Sequence, residues 1–331
     1  YPTGTNNVAL GDTALDSVQA GGVSNTAIGS LAGTAITTGD SNIAIGHEAL
    51  KTNTTAGENT AIGVASLRDN TAGCRNVAIG QNAMLVNTEG CFNVAVGRAA
   101  LDANLTGDRN VAIGLSALGS NTTADCNVAV GQSALGTNTT GANNVAVGHV
   151  ALLANTTGAD NTAVGAFSLD ANTEGGDNTA LGRTSLSSNT TGGENVALGR
   201  SALASNSTGC KNIAIGASAL LLNTTNDNTA VGYQALEQNT SGTSNIAIGC
   251  GALESNTTAS DNVAMGKRAL GGTTTGCRNT AVGRTAMNSN TEGDTNTAIG
   301  YSALYANTTA DNNTAVGACS LEANTTGTHN T

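Results

Sequence analysis

Asn127-Val128-Ala129-Val130-Gly131-Gln132-Ser133-Ala134-Leu135-Gly136-Thr137-Asn138-Thr139-Thr140-Gly141-Ala142-Asn143 is followed at once by Asn144-Val145-Ala146-Val147-Gly148, where the same text starts again seventeen residues on. The block Asn-[Val/Thr/Ile]-Ala-[Ile/Val/Leu/Met]-Gly recurs at Asn7, Asn25, Asn42 and Asn59, then by seventeens to Asn212, and again from Asn228 to Asn313. Two spacings depart from the period: eighteen residues after Asn7 and sixteen after Asn212. A fixed period of this length is the signature of a stacked array, in which each unit exposes an apolar face that only its neighbours can bury.

Within one period the pattern reads as a coil of a parallel β-solenoid. In extended backbone successive side chains point to opposite faces, so Val111 and Ile113 share one face and Ala112 takes the other. Helix is disfavoured because a Gly after the apolar block and another after the Thr pair leave no uninterrupted stretch longer than two turns. The first of these, at Gly80, Gly97, Gly114, Gly131 and Gly148, suits a corner that needs positive φ or close backbone approach. The second, as at Gly107 and Gly158, gives way to Ala at Ala124, Ala259 and Ala310, so that corner is not always strained. Asn at one corner of every coil, at Asn76, Asn93, Asn110, Asn127, Asn144 and Asn161, can hydrogen-bond from coil to coil as a ladder. The expected fold is all-β, a single continuous solenoid of about nineteen coils over residues 1–331, on the order of 90 Å long at ~4.8 Å per coil.

Two cross-sections fit this pattern. In one, the strand Ala and the Ala or Ser of the Ala-Leu step line a narrow roll, and the Val/Ile positions form an apolar stripe outside that asks for a partner. In the other, Ile113, Leu118 and their equivalents lie inside a wider monomeric coil. Frequent Thr at the second position favours the first, since a hydroxyl fits a dry core badly. Closing the stripe by symmetric association gives a cyclic homo-oligomer.

Blocks such as Asn76-Val77-Ala78-Ile79-Gly80 and Asn144-Val145-Ala146-Val147-Gly148 resemble the Asn-Ser-Val-Ala-Ile-Gly strand of trimeric autotransporter adhesin heads. That resemblance implies a left-handed parallel β-roll assembled as a homotrimer that binds host matrix or other cells. It covers every coil through a five-residue motif. The adhesin coil is shorter and alternates Ala with Gly, where this one has Ala-Leu and Asn-Thr-Thr-Gly. The longer form, as in Asn228-Thr229-Ala230-Val231-Gly232-Tyr233-Gln234-Ala235-Leu236, is similar to repeats of phage tail-fibre-like and bacterial surface proteins.

Composition narrows the function classes. Charged residues are 11% of the chain, only 12 are Lys or Arg, and the net charge is −11. Nucleic acid is therefore not expected as a partner, because phosphate binding needs clustered basic side chains. No apolar run approaches the ~18 residues of a membrane helix. The sequence opens on Tyr1 and stops at Asn330-Thr331, where a new repeat has just started, as expected of a fragment of a longer fibre.

Chemistry-bearing residues do not assemble into a catalytic, cofactor or metal motif. The seven cysteines contain no Cys-x-x-Cys pair. Cys74 and Cys91 occupy one register position in successive coils and are candidates for a disulfide; Cys210 and Cys277 share that position four coils apart. Otherwise cysteine at a variable turn reads as tolerated drift. His47, His149 and His329 are isolated. Glu58, Asp160, Asp177, Glu194 and Asp261 precede the ladder Asn; without an Asp-x-Asp spacing they read as a solvated acidic edge rather than a Ca²⁺ site. Asn53, Asn104, Asn121 and Asn138 lie in Asn-x-Thr sequons and are candidate glycosylation sites. The competing reading of the same Asn is a side chain that caps a turn.

The positions after the strand Gly read Gln81-Asn82, Arg98-Ala99, Leu115-Ser116, Tyr233-Gln234 and Lys267-Arg268, with no concentrated aromatic or charged patch. The expectation is a non-enzymatic shaft or head segment of an extracellular or virion fibre, self-associated as a homotrimer or filament. The alternative is an adhesive module whose surface contacts host cells, matrix or glycans.

Overall fold

The computed structural model describes residues 4–331 as two compact units, 1–161 and 162–331. Each is a parallel β-solenoid with about seventeen residues per coil and, among the described residues, no helix. The first carries strands β1 (Val8–Leu10) to β9 (Val145–Val147), the second β10 (Thr162–Val164) to β19 (Thr314–Val316). Every described strand is three residues long, the apolar or Thr residue, Ala and apolar residue of the repeat, and within each unit pairs in register with the next. Thus β7 (Val111–Ile113) lies along β8 (Val128–Val130) with Val111 opposite Val128, Ala112 opposite Ala129 and Ile113 opposite Val130.

Hydrogen bonding between coils continues well beyond the strands. In the representative coil Val128 N donates to Asn144 O at 2.8 Å and Leu135 N to Ala151 O at 2.9 Å, while Gln132 O accepts from Val150 N at 3.0 Å. Such three-residue strands would be marginal alone, and it is this repetition around the whole coil that satisfies the backbone.

The cross-section combines the two arrangements that the pattern allowed. Ala129 and Ala134 are fully buried, as the narrow roll requires, and the Val/Ile positions stay outside. Leu135, however, is also fully buried beside Ala134. Adjacent residues can both point inward because strict alternation ends at Gly131. From there the chain makes two tight turns, closed by Ala134 N to Gly131 O at 3.3 Å and Asn138 N to Leu135 O at 3.3 Å. Ser133 and Leu135 both adopt left-handed backbone, φ 53° and 52°, and so does Asn143 at φ 60°.

A left-handed non-Gly residue costs roughly 1–2 kcal/mol, and this coil carries three. Full burial of a Leu side chain returns about 1.5–3 kcal/mol, so at Leu135 the burial outweighs the strain. At Gly131 no such exchange is available. Its φ is 134°, and in the preceding coil a Cβ on Gly114 would sit 2.5 Å from Gly131 O. The second Gly is different: Gly141 is absent from the left-handed region, in keeping with Ala at Ala124.

Both irregular spacings are absorbed without loss of register. Across the eighteen-residue step Asn25 N donates to Asn7 Oδ1 at 2.8 Å, and across the sixteen-residue step Asn228 N donates to Asn212 Oδ1 at 3.1 Å. The inserted or deleted residue is taken up in the turns, where β2 (Thr26–Ile28) and β14 (Thr229–Val231) still pair in register with the strands before them.

Candidate functional site: inner ladders and an outer strand face

Two columns of buried Asn run through each unit. In the first, the Asn side chains of the regular coils repeat the same two bonds, while Asn313 Nδ2 is buried without a partner. Asn127 Oδ1 accepts from Asn144 N at 2.9 Å, and Asn127 Nδ2 donates to Gly141 O at 3.0 Å. One side chain thereby joins its own strand to the following coil at two corners. Asn76, Asn93, Asn110 and Asn144 repeat the arrangement, and Asn161 N donates to Asn144 Oδ1 at 3.0 Å.

The second column is the Asn of Asn-Thr-Thr, and the sequence reading had not made it a ladder. Asn138 Nδ2 donates to Gly141 O at 2.9 Å, which caps its own turn, and to Asn121 Oδ1 in the preceding coil at 3.1 Å. Asn53, Asn104, Asn121 and Asn138 are all 0% exposed, so the Nδ2 atoms of these sequons are enclosed and engaged in the folded coil. The first Thr of the segment extends the stacking, Thr139 Oγ1 donating to Thr156 O at 3.0 Å. The period of this Asn, as strict as that of the first, was the signal that could have revealed the column.

The position after the second corner also has a repeated task. Cys74 N donates to Cys91 Sγ at 3.0 Å, Cys91 N to Asp108 Oδ1 at 2.7 Å, and Asp108 N to Asp125 Oδ1 at 2.7 Å. In the second unit Gly193 N donates to Cys210 Sγ and Ser260 N to Cys277 Sγ, both at 3.3 Å. Asp, Ser and Cys share this position because each accepts a backbone N–H of the preceding coil. Ala142, Ala159, Gly176 and Gly193 hold the same position without an acceptor side chain.

The Sγ atoms of Cys74 and Cys91 are 2.9 Å apart and both residues are free thiols. Burial, then the hydrogen bond with Cys74, pushes the Cys91 thiol up to about 11. Glu58, Asp160, Asp177, Glu194 and Asp261 all occupy the left-handed residue before the ladder Asn. Arg75 donates to both oxygens of Glu58, at 3.2 and 3.0 Å, and lowers its pKa. Among the described residues no three His, Cys, Asp or Glu side chains form a metal-binding group.

The outer strand face is the surface the sequence leaves uncovered. While Ala112 is fully buried, Ile113 beside it is 40% exposed; Ile79, Ile213, Ile246 and Ile299 are similar, at 37–42%. Stacking in register makes these positions a contiguous apolar stripe in each unit. No family model matches the chain, and no curated protein matches it. Among the described residues no helix is long and apolar enough to cross a membrane.

Two aromatic and two charged side chains meet at one place, where Arg284, Tyr301, Tyr305 and Glu322 from three successive coils line a common recess. Residues seventeen apart become neighbours, so a cluster spread over the sequence escapes a residue-by-residue scan.

Proposed function

We propose that the chain is a non-enzymatic structural segment of an extracellular or virion fibre, elongated along the coil axis and assembled as a homotrimer through its outer strand faces. The exposed Ile113 stripe beside fully buried Ala112 carries this reading. A coil that places its buried polar groups in inter-coil ladders, and repeats one apolar pair outward, is suited to stiffness and self-association. The number of copies follows the resemblance of the Asn-Val-Ala-Ile-Gly block to trimeric adhesin heads.

Small-angle X-ray scattering tests the shaft. An elongated particle with a longest dimension on the order of 90 Å or more supports it; a compact particle with a radius of gyration near ~20 Å, as for a globule of this length, contradicts it. A second reading, an adhesive module, is favoured by the recess at Arg284, Tyr301, Tyr305 and Glu322.

A further inference from the structure

Coils in register convert seventeen-residue spacings into surface columns. Arg284 and Tyr301 form one column, Thr285 and Ser302 a second, Tyr305 and Glu322 a third, with β17 (Thr280–Val282), β18 (Thr297–Ile299) and β19 (Thr314–Val316) fixing the alignment. Together the six residues line a shallow, open recess of about 290 Å³. That lies at the lower edge of the ~300–1,000 Å³ typical of small-ligand sites, enough for one small rigid ligand unit.

The lining is unusual for this chain, which has only 2% aromatic residues and four tyrosines in all. Two of the four are here, Tyr301 53% and Tyr305 37% exposed. Thr285 Oγ1 and Ser302 Oγ lie 3.1 Å apart, with Ser302 almost fully buried. Among the described residues Arg284 makes no ion pair, in contrast to Arg75 and Arg278, whose carboxylate partners are Glu58 and Asp294. Glu322 lies against Cys319 and raises the pKa of that thiol by accepting its hydrogen bond.

We propose that this recess is a binding subsite for a neutral hexose unit of a glycan. Tyr301 and Tyr305 offer flat apolar faces for the C–H face of a pyranose ring, each with a polar tip at its edge. Arg284 brings donors only and Glu322 acceptors only, and Thr285 Oγ1, which donates its proton to Arg284 O at 2.7 Å, is left as a further acceptor; donors and acceptors together match a ring of vicinal hydroxyl groups. Opposite charges at the two ends of the recess leave it without a net charge, so an uncharged ligand fits better than an anionic sugar or a phosphate. The subsite does not depend on how the outer strand faces associate.

Saturation-transfer NMR on the full chain tests this. The probes are the methyl glycosides of glucose, galactose, mannose and N-acetylglucosamine, with glucuronate as the charged comparison. Transfer to at least one neutral glycoside is expected, with affinity of about 1 mM. Tyr301→Ala and Tyr305→Ala should each weaken it about tenfold, while Tyr301→Phe, which keeps the ring, retains most of it. Tyr233→Ala is the control: Tyr233 holds the register of Tyr301 and is equally exposed, but Glu237 stands where Tyr305 would be. Circular dichroism confirms that each variant is folded. Failure of every neutral glycoside to bind, binding of glucuronate alone, or binding unchanged in Tyr301→Ala and Tyr305→Ala would each overturn the proposal.

Discussion

Cys74 and Cys91 stand at the same point of consecutive coils with their sulfur atoms 2.9 Å apart, and the backbone N–H of Cys74 donates to the Cys91 sulfur. Under a small-molecule disulfide oxidant these two thiols should join by exchange: one cysteine thiolate attacks the oxidant, forming a mixed disulfide and releasing one small-molecule thiol, and the second cysteine thiolate then displaces the other small-molecule thiol to close the Cys74–Cys91 bond. Of the seven free cysteines, thiol titration should then find five, and peptide mapping should join the segments containing Cys74 and Cys91. Because the thiolate is the attacking species and Cys91 titrates near 11, the reaction should accelerate as pH rises toward that value.

The second Asn ladder contains a natural fault. Thr273 replaces its Asn, and both Thr273 Oγ1 and Asn256 Oδ1 in the preceding coil are buried without a partner. Thr273→Asn should supply an Nδ2 to Asn256 and cap its own turn at Gly276. The expected gain is about 1–2 kcal/mol in denaturant unfolding. A loss of stability would show that the ladder is not what orders this corner.

The two Gly corners should respond to the same change with different losses of stability. Gly114→Ala forces a Cβ to 2.5 Å from Gly131 O at φ 135°, and should cost more than about 3 kcal/mol. A Cβ on Gly107 would also press on Ala124 O, but Gly107 is not in the left-handed region and Ala124 already holds that position in the next coil, so Gly107→Ala should cost less than Gly114→Ala. Thermal unfolding of the two variants side by side decides this.

Leu135→Ala should destabilise by about 2–5 kcal/mol, since it leaves a void between the inward turns. Leu135→Gly relieves the left-handed strain at φ 52° yet should still be less stable than the parent, because the lost burial exceeds the relief.

Asp170 has a buried carboxylate oxygen without a hydrogen-bond partner, and burial raises its pKa. A folded-state pKa above the unfolded one means that the folded chain holds the proton more tightly. The Asp170 contribution is therefore least unfavourable at acid pH and worsens as pH rises through the raised value. Asp170→Asn should stabilise at neutral pH, with the gain shrinking as pH falls through the raised value and gone by about pH 4, the ordinary carboxylate range.

What could be read from the sequence was the part written as period and alternation. The seventeen-residue spacing and the Val-Ala-Val triplet gave the strand, its inward Ala129 and the stacking direction. The left-handed backbone at Ser133, Leu135 and Asn143 was hidden, because non-Gly residues there carry no local signature. That hidden turn is why Leu135 joins Ala134 inside, against simple alternation. Asn138 was legible as a turn cap but its partner seventeen residues away was not, and the same distance concealed the recess formed by Arg284, Tyr301 and Glu322.

The outer stripe is the centre of the functional account, and light scattering on the purified chain measures its consequence directly. A mass of three times the 32.3 kDa chain, lowered to the single-chain value by Ile113→Lys together with Ile79→Lys while circular dichroism is unchanged, is the predicted result. A parent chain that scatters as a folded monomer at micromolar concentration would contradict the account.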